Sequence, residues 1–295
     1  MPRRVVVAKR VTVIDGGMGT ELEARGVRMD DAAWSAAANL EHPEVVRAAH
    51  EDFIRAGAEV LIANTYSAGR WPLEPAGLAE RFEEVNRNAV RAALEAQERV
   101  GRPDVLVAGS ISRTAALDYY GAPRPVDVRA VYAEHAALLA DAGVDLIALE
   151  MISALDYGLP AIEAARATGL PIWLGVSASR DSEGRLVCWH NGTVSFEDFV
   201  GEIVAPDLAA VHVMHTDIPE VEDALEVVRQ RWDGPLGAYP QSGGFIPPHW
   251  QFSDLTPDEF AEHARGWVAH GATIVGGCCG TRPEHIAALS AALGD

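Results

Sequence analysis

Short runs rich in valine, isoleucine and leucine alternate along this chain with longer stretches whose apolar residues recur at helical spacing. Eight runs read as strands: Val11 to Ile14, Glu59 to Ala63, Val105 to Ala108, Asp145 to Leu149, Ile172 to Val176, Leu208 to Met214, Leu236 to Tyr239 and Thr273 to Val275. Most lack strict alternation, the pattern of parallel strands covered by helices. Helices are predicted from Pro43 to Ala58, Leu78 to Val100, Val128 to Ala142, Ala154 to Ala167, Ser195 to Ile203, Pro219 to Trp232, Pro257 to His270 and Pro283 to Leu293. Capping boxes are expected at Asp217 with Glu220, Thr256 with Glu259, and Thr281 with Glu284.

Eight strand–helix units without a break in composition predict an α/β chain folded as one (β/α)8 barrel. The whole of 1–295 reads as one domain, with residues 1–10 as an N-terminal extension and an extra segment between the first strand and its helix. A doubly wound open sheet is the alternative. Against it, Asp15-Gly16-Gly17-Met18-Gly19 lacks the glycine spacing of a dinucleotide fingerprint. Pro240 to Pro248 reads as an irregular loop over the same barrel end.

Composition narrows the function. A length of 295 residues suits one barrel, and 48% hydrophobic residues supply a large core. A formal charge of −19 argues against nucleic acid and anionic membranes as partners. The single lysine, Lys9, argues against Schiff-base chemistry, which needs a lysine in the pocket. Three cysteines, two of them adjacent, make no disulfide framework and suit a reducing compartment. With no signal peptide and no apolar run of membrane-spanning length, a cytoplasmic protein is expected.

In a barrel, function gathers at the carboxyl ends of the strands. Those ends carry Asp15, Asn64-Thr65-Tyr66, Ser110, Glu150, Ser177, His215, Gln241-Ser242 and Cys278-Cys279. Cys278 and Cys279 lie in a glycine-rich turn between a buried strand and a helix start, where the helix's positive end favours thiolate. Adjacent thiols bridge each other poorly, but both can bind one soft metal ion; two small buried residues at a tight turn are the plain alternative. His215, ending the sixth strand, is placed to reach both sulfurs; a polar rim residue or a satisfied histidine is its plain alternative. Two thiolates and an imidazole leave a tetrahedral position open, as catalytic zinc sites do. His212, three residues earlier, should face the other way, so the two histidines are not expected to be joint ligands. Asp15 and Glu150 beside such a site suit a substrate ammonium, or acid–base work; a turn former and a salt-bridged rim acid are the plain readings. Trp34 and Tyr66 are candidates to wall a pocket or meet a cationic methyl donor, or to pack in the core. Cys188 reads as a packing residue.

At these residues the chain resembles the homocysteine S-methyltransferase family, from about Val11 to Leu293. The resemblance is carried by Asp15-Gly16-Gly17-Met18-Gly19-Thr20-Glu21-Leu22, Ala56-Gly57-Ala58, Asn64-Thr65-Tyr66, Glu150, Tyr239-Pro240-Gln241-Ser242-Gly243 and Gly276-Gly277-Cys278-Cys279-Gly280. It implies a barrel with zinc held by three cysteines and homocysteine sulfur as the fourth ligand. That thiolate would take a methyl group from a sulfonium, a quaternary ammonium or a methylated cofactor. Cys278 and Cys279 match two zinc ligands. Asp15 and Glu150 match acids that hold the homocysteine amino group. Trp34, Asn64 and Tyr66 fall in segments that shape the substrate pocket.

The chain departs from the family pattern at the mouth. His215 stands where the third cysteine is expected, Met151 where threonine usually follows the glutamate, Ser110-Ile111-Ser112-Arg113 where a Ser-Ile-Gly-Pro type turn is usual, and Gln241 where asparagine is usual. The implied partners are a small thiol acceptor and a small methyl donor such as S-methylmethionine; a homo-oligomer is compatible with the sequence. The alternatives are a changed thiol or oxygen substrate, a hydrolase or lyase built on a Cys2His metal site, and a non-catalytic ligand-binding barrel.

Overall fold

The computed structural model of the chain describes residues 11–113, 127–189, 191–246 and 249–294; the expected extension over 1–10, and Pro247 and Pro248 of the expected loop, lie outside the described residues. The strands, in chain order, are β1 (Thr12–Val13), β2 (Val60–Ile62), β3 (Leu106–Ser112), β4 (Leu146–Ile152), β5 (Ile172–Val176), β6 (Ala178–Arg180), β7 (Leu186–Cys188), β8 (Asn191–Ser195), β9 (Ala210–Asp217), β10 (Leu236–Gln241), β11 (Gly244–Ile246), β12 (His249–Gln251) and β13 (Ile274–Val275). The helices are α1 (Met18–Ala24), α2 (Ala38–Glu41), α3 (Pro43–Arg55), α4 (Arg70–Leu73), α5 (Phe82–Val100), α6 (Val128–Ala142), α7 (Leu155–Ala167), α8 (Phe196–Ile203), α9 (Val221–Arg229), α10 (Pro257–Ala269) and α11 (Pro283–Leu293).

Eight strands form one parallel sheet in the order β1-β13-β10-β9-β5-β4-β3-β2. The sheet closes on itself through a parallel bridge between Ile14 and Val60, with the Glu59 N–H donating to the Val13 carbonyl at 2.8 Å. This is the expected (β/α)8 barrel. The expected segment after the first strand is residues 16–42, which hold α1, a 3-10 turn over Ser35–Ala37 and α2.

The strands read as unbroken apolar runs because both faces are buried. Val107, Ile147, Leu149, Val211 and Val213 pack outward against Phe53, Tyr132, Ile162, Phe199 and Trp267 of the helical layer. Ile14, Val60, Ala108, Leu146, Ala148, Trp173, Ala210, Tyr239 and Ile274 fill the barrel interior. Burial of this kind contributes about 25 cal/mol per Å² of apolar surface.

Helix boundaries follow local chemistry. Asp127 caps α6 by accepting from the backbone N–H of Arg129 and Ala130, and Gly143, at φ +97°, ends it. The capping box at Thr256 and Glu259 is present. The other two expected boxes are not. Asp217 makes no capping bond and instead accepts from Gln241 Nε2 at 2.7 Å, while a 3-10 turn over Ile218–Glu220 leads into α9. The cap of α11 is Arg282, whose N–H donates to His285 Nδ1 at 3.1 Å. Thr281 does different work, in the cysteine turn.

Two antiparallel additions cover the mouth. Strands β6, β7 and β8 form a ribbon after the fifth barrel strand, where the sequence pattern predicts only a connection. Strands β11 and β12 form a hairpin within what reads as an irregular loop.

Candidate metal centre and substrate pocket

The turn after β13 is pinned from several sides. Gly277 N–H donates to the Asp15 carbonyl at 3.1 Å, and Cys278 N–H to the Pro240 carbonyl at 2.8 Å. The Cys279 carbonyl accepts from Ser242 N–H at 2.7 Å, and the Cys278 carbonyl from the Thr281 hydroxyl at 2.6 Å. Gly280 sits at φ +80°, and a Cβ there would lie 1.7 Å from the Ser242 carbonyl oxygen. Only glycine meets both demands.

This turn brings both sulfurs to His215. Cys278 Sγ lies 3.5 Å from His215 Nδ1 and 4.0 Å from Cys279 Sγ. One ligand atom from each of the three residues lies within 4.8 Å of the others. Zinc bonds of about 2.3 Å to sulfur and about 2.0 Å to nitrogen in a tetrahedron imply edges of about 3.5 Å for S···N and about 3.8 Å for S···S. The observed separations are of that size, and the donors suit a soft or borderline metal. Without one, hydrogen bonding to the neighbouring Cys279 thiol, burial and that thiol's charge hold the Cys278 thiol well above the usual range, against the pull of His215. Helix α11, whose positive end was expected to favour the thiolate, begins five residues downstream at Pro283; a metal cation bound there would favour the thiolate.

His215 reaches the turn through a backbone irregularity. Inner and outer positions alternate along β9, with Ala210 and Met214 inside and Val211 and Val213 outside. Continued alternation would send residue 215 outward. Instead its φ is +47°, and the pairing with β10 shifts register between Met214 and Asp217. A bulge of this kind re-aims a side chain. His212 therefore also faces inward, contrary to expectation, but deeper. It lies between Trp173 and Tyr239, with ring centroids at 4.7 and 5.3 Å, and burial lowers its pKa to about 3. Depth, not direction, keeps it from the sulfurs.

The centre opens onto a cavity of about 850 Å³ lined by Trp34, Asn64, Tyr66, Arg113, Glu150, Trp189, His215, Cys278 and Cys279 among others. Glu150 accepts from the Ser110 hydroxyl. Burial raises its pKa to about 7, opposed by hydrogen bonds from Ser110 and Tyr239 and by His215. Asp15 lies beneath the cavity wall, 1% exposed. Its Oδ2 accepts from Ile62 N–H at 2.8 Å, and its Oδ1 has no partner. Burial raises its pKa well above the usual range, Ile62 opposes this, and Glu150 adds to it. Two adjacent buried acids, one with an unsatisfied oxygen, form a site for a cation.

Trp34 takes φ +45° and meets Tyr66 edge to face at 6.4 Å. Tyr66 hydroxyl points at the Met151 sulfur. Asn64 lines the cavity, but both its amide hydrogens are donated, to the Ser35 carbonyl and to Asn39 Oδ1, each at 2.9 Å. It accepts from the Ser35 hydroxyl at 2.7 Å. Its amide thus holds the loop that carries Trp34. Cys188 is fully buried, as a packing residue is. Sequence reasoning assigned no role to Arg113 or Trp189, both in the wall, nor to Tyr239 beside Glu150. For Arg113, the one signal was an arginine in a turn usually made by glycine and proline.

Among known proteins, the family model for homocysteine S-methyltransferases matches residues 12–293. A homocysteine S-methyltransferase of Escherichia coli is 32% identical over 321 residues, covering 98% of each chain. The metallated form of the homocysteine methyltransferase MmuM from Escherichia coli superposes with a TM-score of 0.80 at 29% identity, over 99% of each chain. Its apo form gives 0.72 at 27% identity, over 99% of this chain and 100% of that one.

Proposed function

As the chain belongs to the homocysteine S-methyltransferase family, we propose that it is a methyltransferase moving a methyl group from a small sulfonium or ammonium donor to the thiol of homocysteine, giving methionine. The observation that carries this reading is the convergence of His215, Cys278 and Cys279 at the barrel mouth, beside the buried carboxyl of Glu150. Zinc is the metal that this donor set fits best. Bound there, it would supply the Lewis acidity that keeps the acceptor sulfur as thiolate at neutral pH.

The protein's own groups do the rest. Glu150 and Asp15 receive the acceptor's ammonium, which satisfies the orphaned Asp15 oxygen and ionises Glu150. Trp34, Tyr66 and Met151 form an apolar wall that excludes water from the donor methyl. The acceptor thiol releases its proton to solvent as it binds, a new sulfur–carbon bond forms, and the methyl–onium bond breaks, its electron pair staying on the donor. The donor leaves as a neutral thioether or amine.

His215 sets the strength of that nucleophile. Replacing one of three thiolates by a neutral imidazole makes the centre one unit less negative. With a metal held there, the acceptor sulfur would keep less charge and the metal would be a stronger Lewis acid. This favours a second reading, a Cys2His site acting on a different thiol or oxygen substrate.

The test is metal content and methyl transfer measured together for the wild type, Cys278→Ala and His215→Cys. About one zinc per chain, lost with activity in Cys278→Ala, supports the proposal. Full activity of the metal-free protein sinks it. Homocysteine methylation seen only in His215→Cys moves the native substrate to the second reading.

A further inference from the structure

Arg113 carries a buried charge that the reaction as described does not use. The residue is 8% exposed, follows the last residue of β3, and lines the cavity. Among the described residues lining the cavity it is the one arginine, and none of the described residues forms an ion pair with it. Its guanidinium carbon lies 5.6 Å from the centre of the Trp189 ring. Trp189 in turn meets His215 edge to face at 4.6 Å. Among the described residues no carboxylate lies within ion-pair distance of this guanidinium, although Asp156 also lines the cavity; burying a guanidinium costs several kcal/mol, and stacking on one indole recovers only part of that. The arrangement is stable as a receptor for an anion that arrives with a ligand.

The register of the barrel says which ligand. Ser112 pairs with Glu150 across β3 and β4, and the Glu150 carboxyl reaches down to Ser110. At about 3.3 Å per residue, Arg113 stands roughly 10 Å further along the strand direction than Ser110. The acceptor's ammonium belongs at the lower level, with Glu150. Arg113 belongs to the upper level, where a second substrate must approach the metal centre past Trp189. The two ring separations together cap the distance from the guanidinium carbon to the His215 ring at about 10 Å. A carboxylate held by two N–H···O bonds of about 2.8 Å, joined by a few carbons to an onium centre, fits that span.

We infer that Arg113 is the specificity-determining residue for the methyl donor. It would bind the donor's carboxylate, so that the protein selects zwitterionic onium acids over onium compounds without an acid group. The inference rests on the methyltransferase reading for the word donor, but not for the anion site itself.

The experiment uses the zinc-loaded full chain with homocysteine and two donors, S-methylmethionine and its carboxamide, with wild type, Arg113→Met, Arg113→Gln and Arg113→Lys. A charged hydrogen-bonded pair of this kind contributes about 1.5–3 kcal/mol, a 10- to 150-fold preference for the acid in kcat/KM. Arg113→Met and Arg113→Gln should collapse it to within about threefold, through the donor's KM. Arg113→Lys, a point charge without the fork, should keep part of it. Discrimination unchanged in both neutral variants overturns the inference. So does a rise in homocysteine KM in place of donor KM, which would give Arg113 to the acceptor. Calorimetric titration with S-methylmethionine reads the site without turnover. Binding that depends on Arg113 in a wild type that transfers no methyl group would overturn the methyltransferase reading and leave the anion site standing.

Discussion

Glu150→Gln should make the metal-free protein more stable at pH 8 while disabling it. Burial raises the Glu150 pKa from 4.5 to about 7. The sign follows directly. An acid whose pKa is higher folded than unfolded carries no cost below the unfolded value, where both states are protonated. Above it, the unfolded chain ionises first, and the cost to the folded state grows until the pH passes the folded value. At about 1.36 kcal/mol per unit, the full cost is about 3 kcal/mol, of which about 2.5 kcal/mol accrues between pH 5 and pH 8. Glutamine keeps an oxygen for Ser110 and Tyr239 and cannot ionise. It also removes the charge that helps raise the Asp15 pKa, which acts in the same direction.

The assay is urea unfolding with a chelator present, at pH 5, 6, 7 and 8, for both proteins. The stability of the variant over the wild type should widen steadily with pH. With a slope of about 3 kcal/mol per M for a chain of this size, the midpoint difference should grow by nearly 1 M. In the zinc-loaded protein the same variant should lose about 100-fold in kcat/KM for homocysteine, because the ammonium loses a charged partner. A stability difference that stays flat from pH 5 to pH 8 would refute the argument, since it would mean that the Glu150 carboxyl is not desolvated in the free protein.

Three further changes test the framework of the site. Gly280→Ala, with its Cβ driven toward the Ser242 carbonyl at φ +80°, should cost more than about 3 kcal/mol or prevent folding; a thermal midpoint within a degree of wild type would contradict this. Thr281→Val removes the hydroxyl clamp on the Cys278 carbonyl, and should cost about 1 kcal/mol and about tenfold in zinc affinity, read by chelator competition. Asn64→Ala breaks the bonds to Ser35 and Asn39; it should lower stability by about 2–3 kcal/mol and raise donor and acceptor KM together, as the Trp34 loop loses its anchor.

The elements that read correctly from sequence are those with local causes. Strand β5 (Ile172–Val176), and helices α6 (Val128–Ala142) and α11 (Pro283–Leu293), lie where they were expected because apolar period and end signals agree there. Boundaries slipped where tertiary structure decides. Strands β3 and β4 continue to Ser112 and Ile152, past the apolar runs, because inward polar residues at the barrel mouth bond one another. The ribbon β6–β8 was missed although Asp181-Ser182-Glu183-Gly184 between Arg180 and Leu186 is turn chemistry; its strands are short, and β6 and β8 are polar and partly exposed, so only Leu186-Val187-Cys188 of β7 gives an apolar run. Thr281 looked like a helix cap because a threonine three residues before a glutamate is one locally. Its hydroxyl is taken by the Cys278 carbonyl instead.

What no periodicity could reveal is the backbone at Trp34, Met151 and His215. These are the described non-glycine residues with left-handed φ, at +45°, +55° and +47°, and all three line the cavity. In β4 and β9 the effect is the same. Register shifts beside Met151 and His215, and the residue that alternation would send outward turns in. Glu150 with Met151, and Met214 with His215, then line the mouth as consecutive pairs. One strand thus supplies both the buried acid and an apolar wall, and another both a thioether and a metal-ligating imidazole. Each such conformation costs about 1–3 kcal/mol. A closed barrel with a continuous core on both faces of its sheet can offset that cost. The strain therefore sits where side chains must crowd around one centre, and a ligand set read as a list of strand ends becomes a site only through those turns of the backbone.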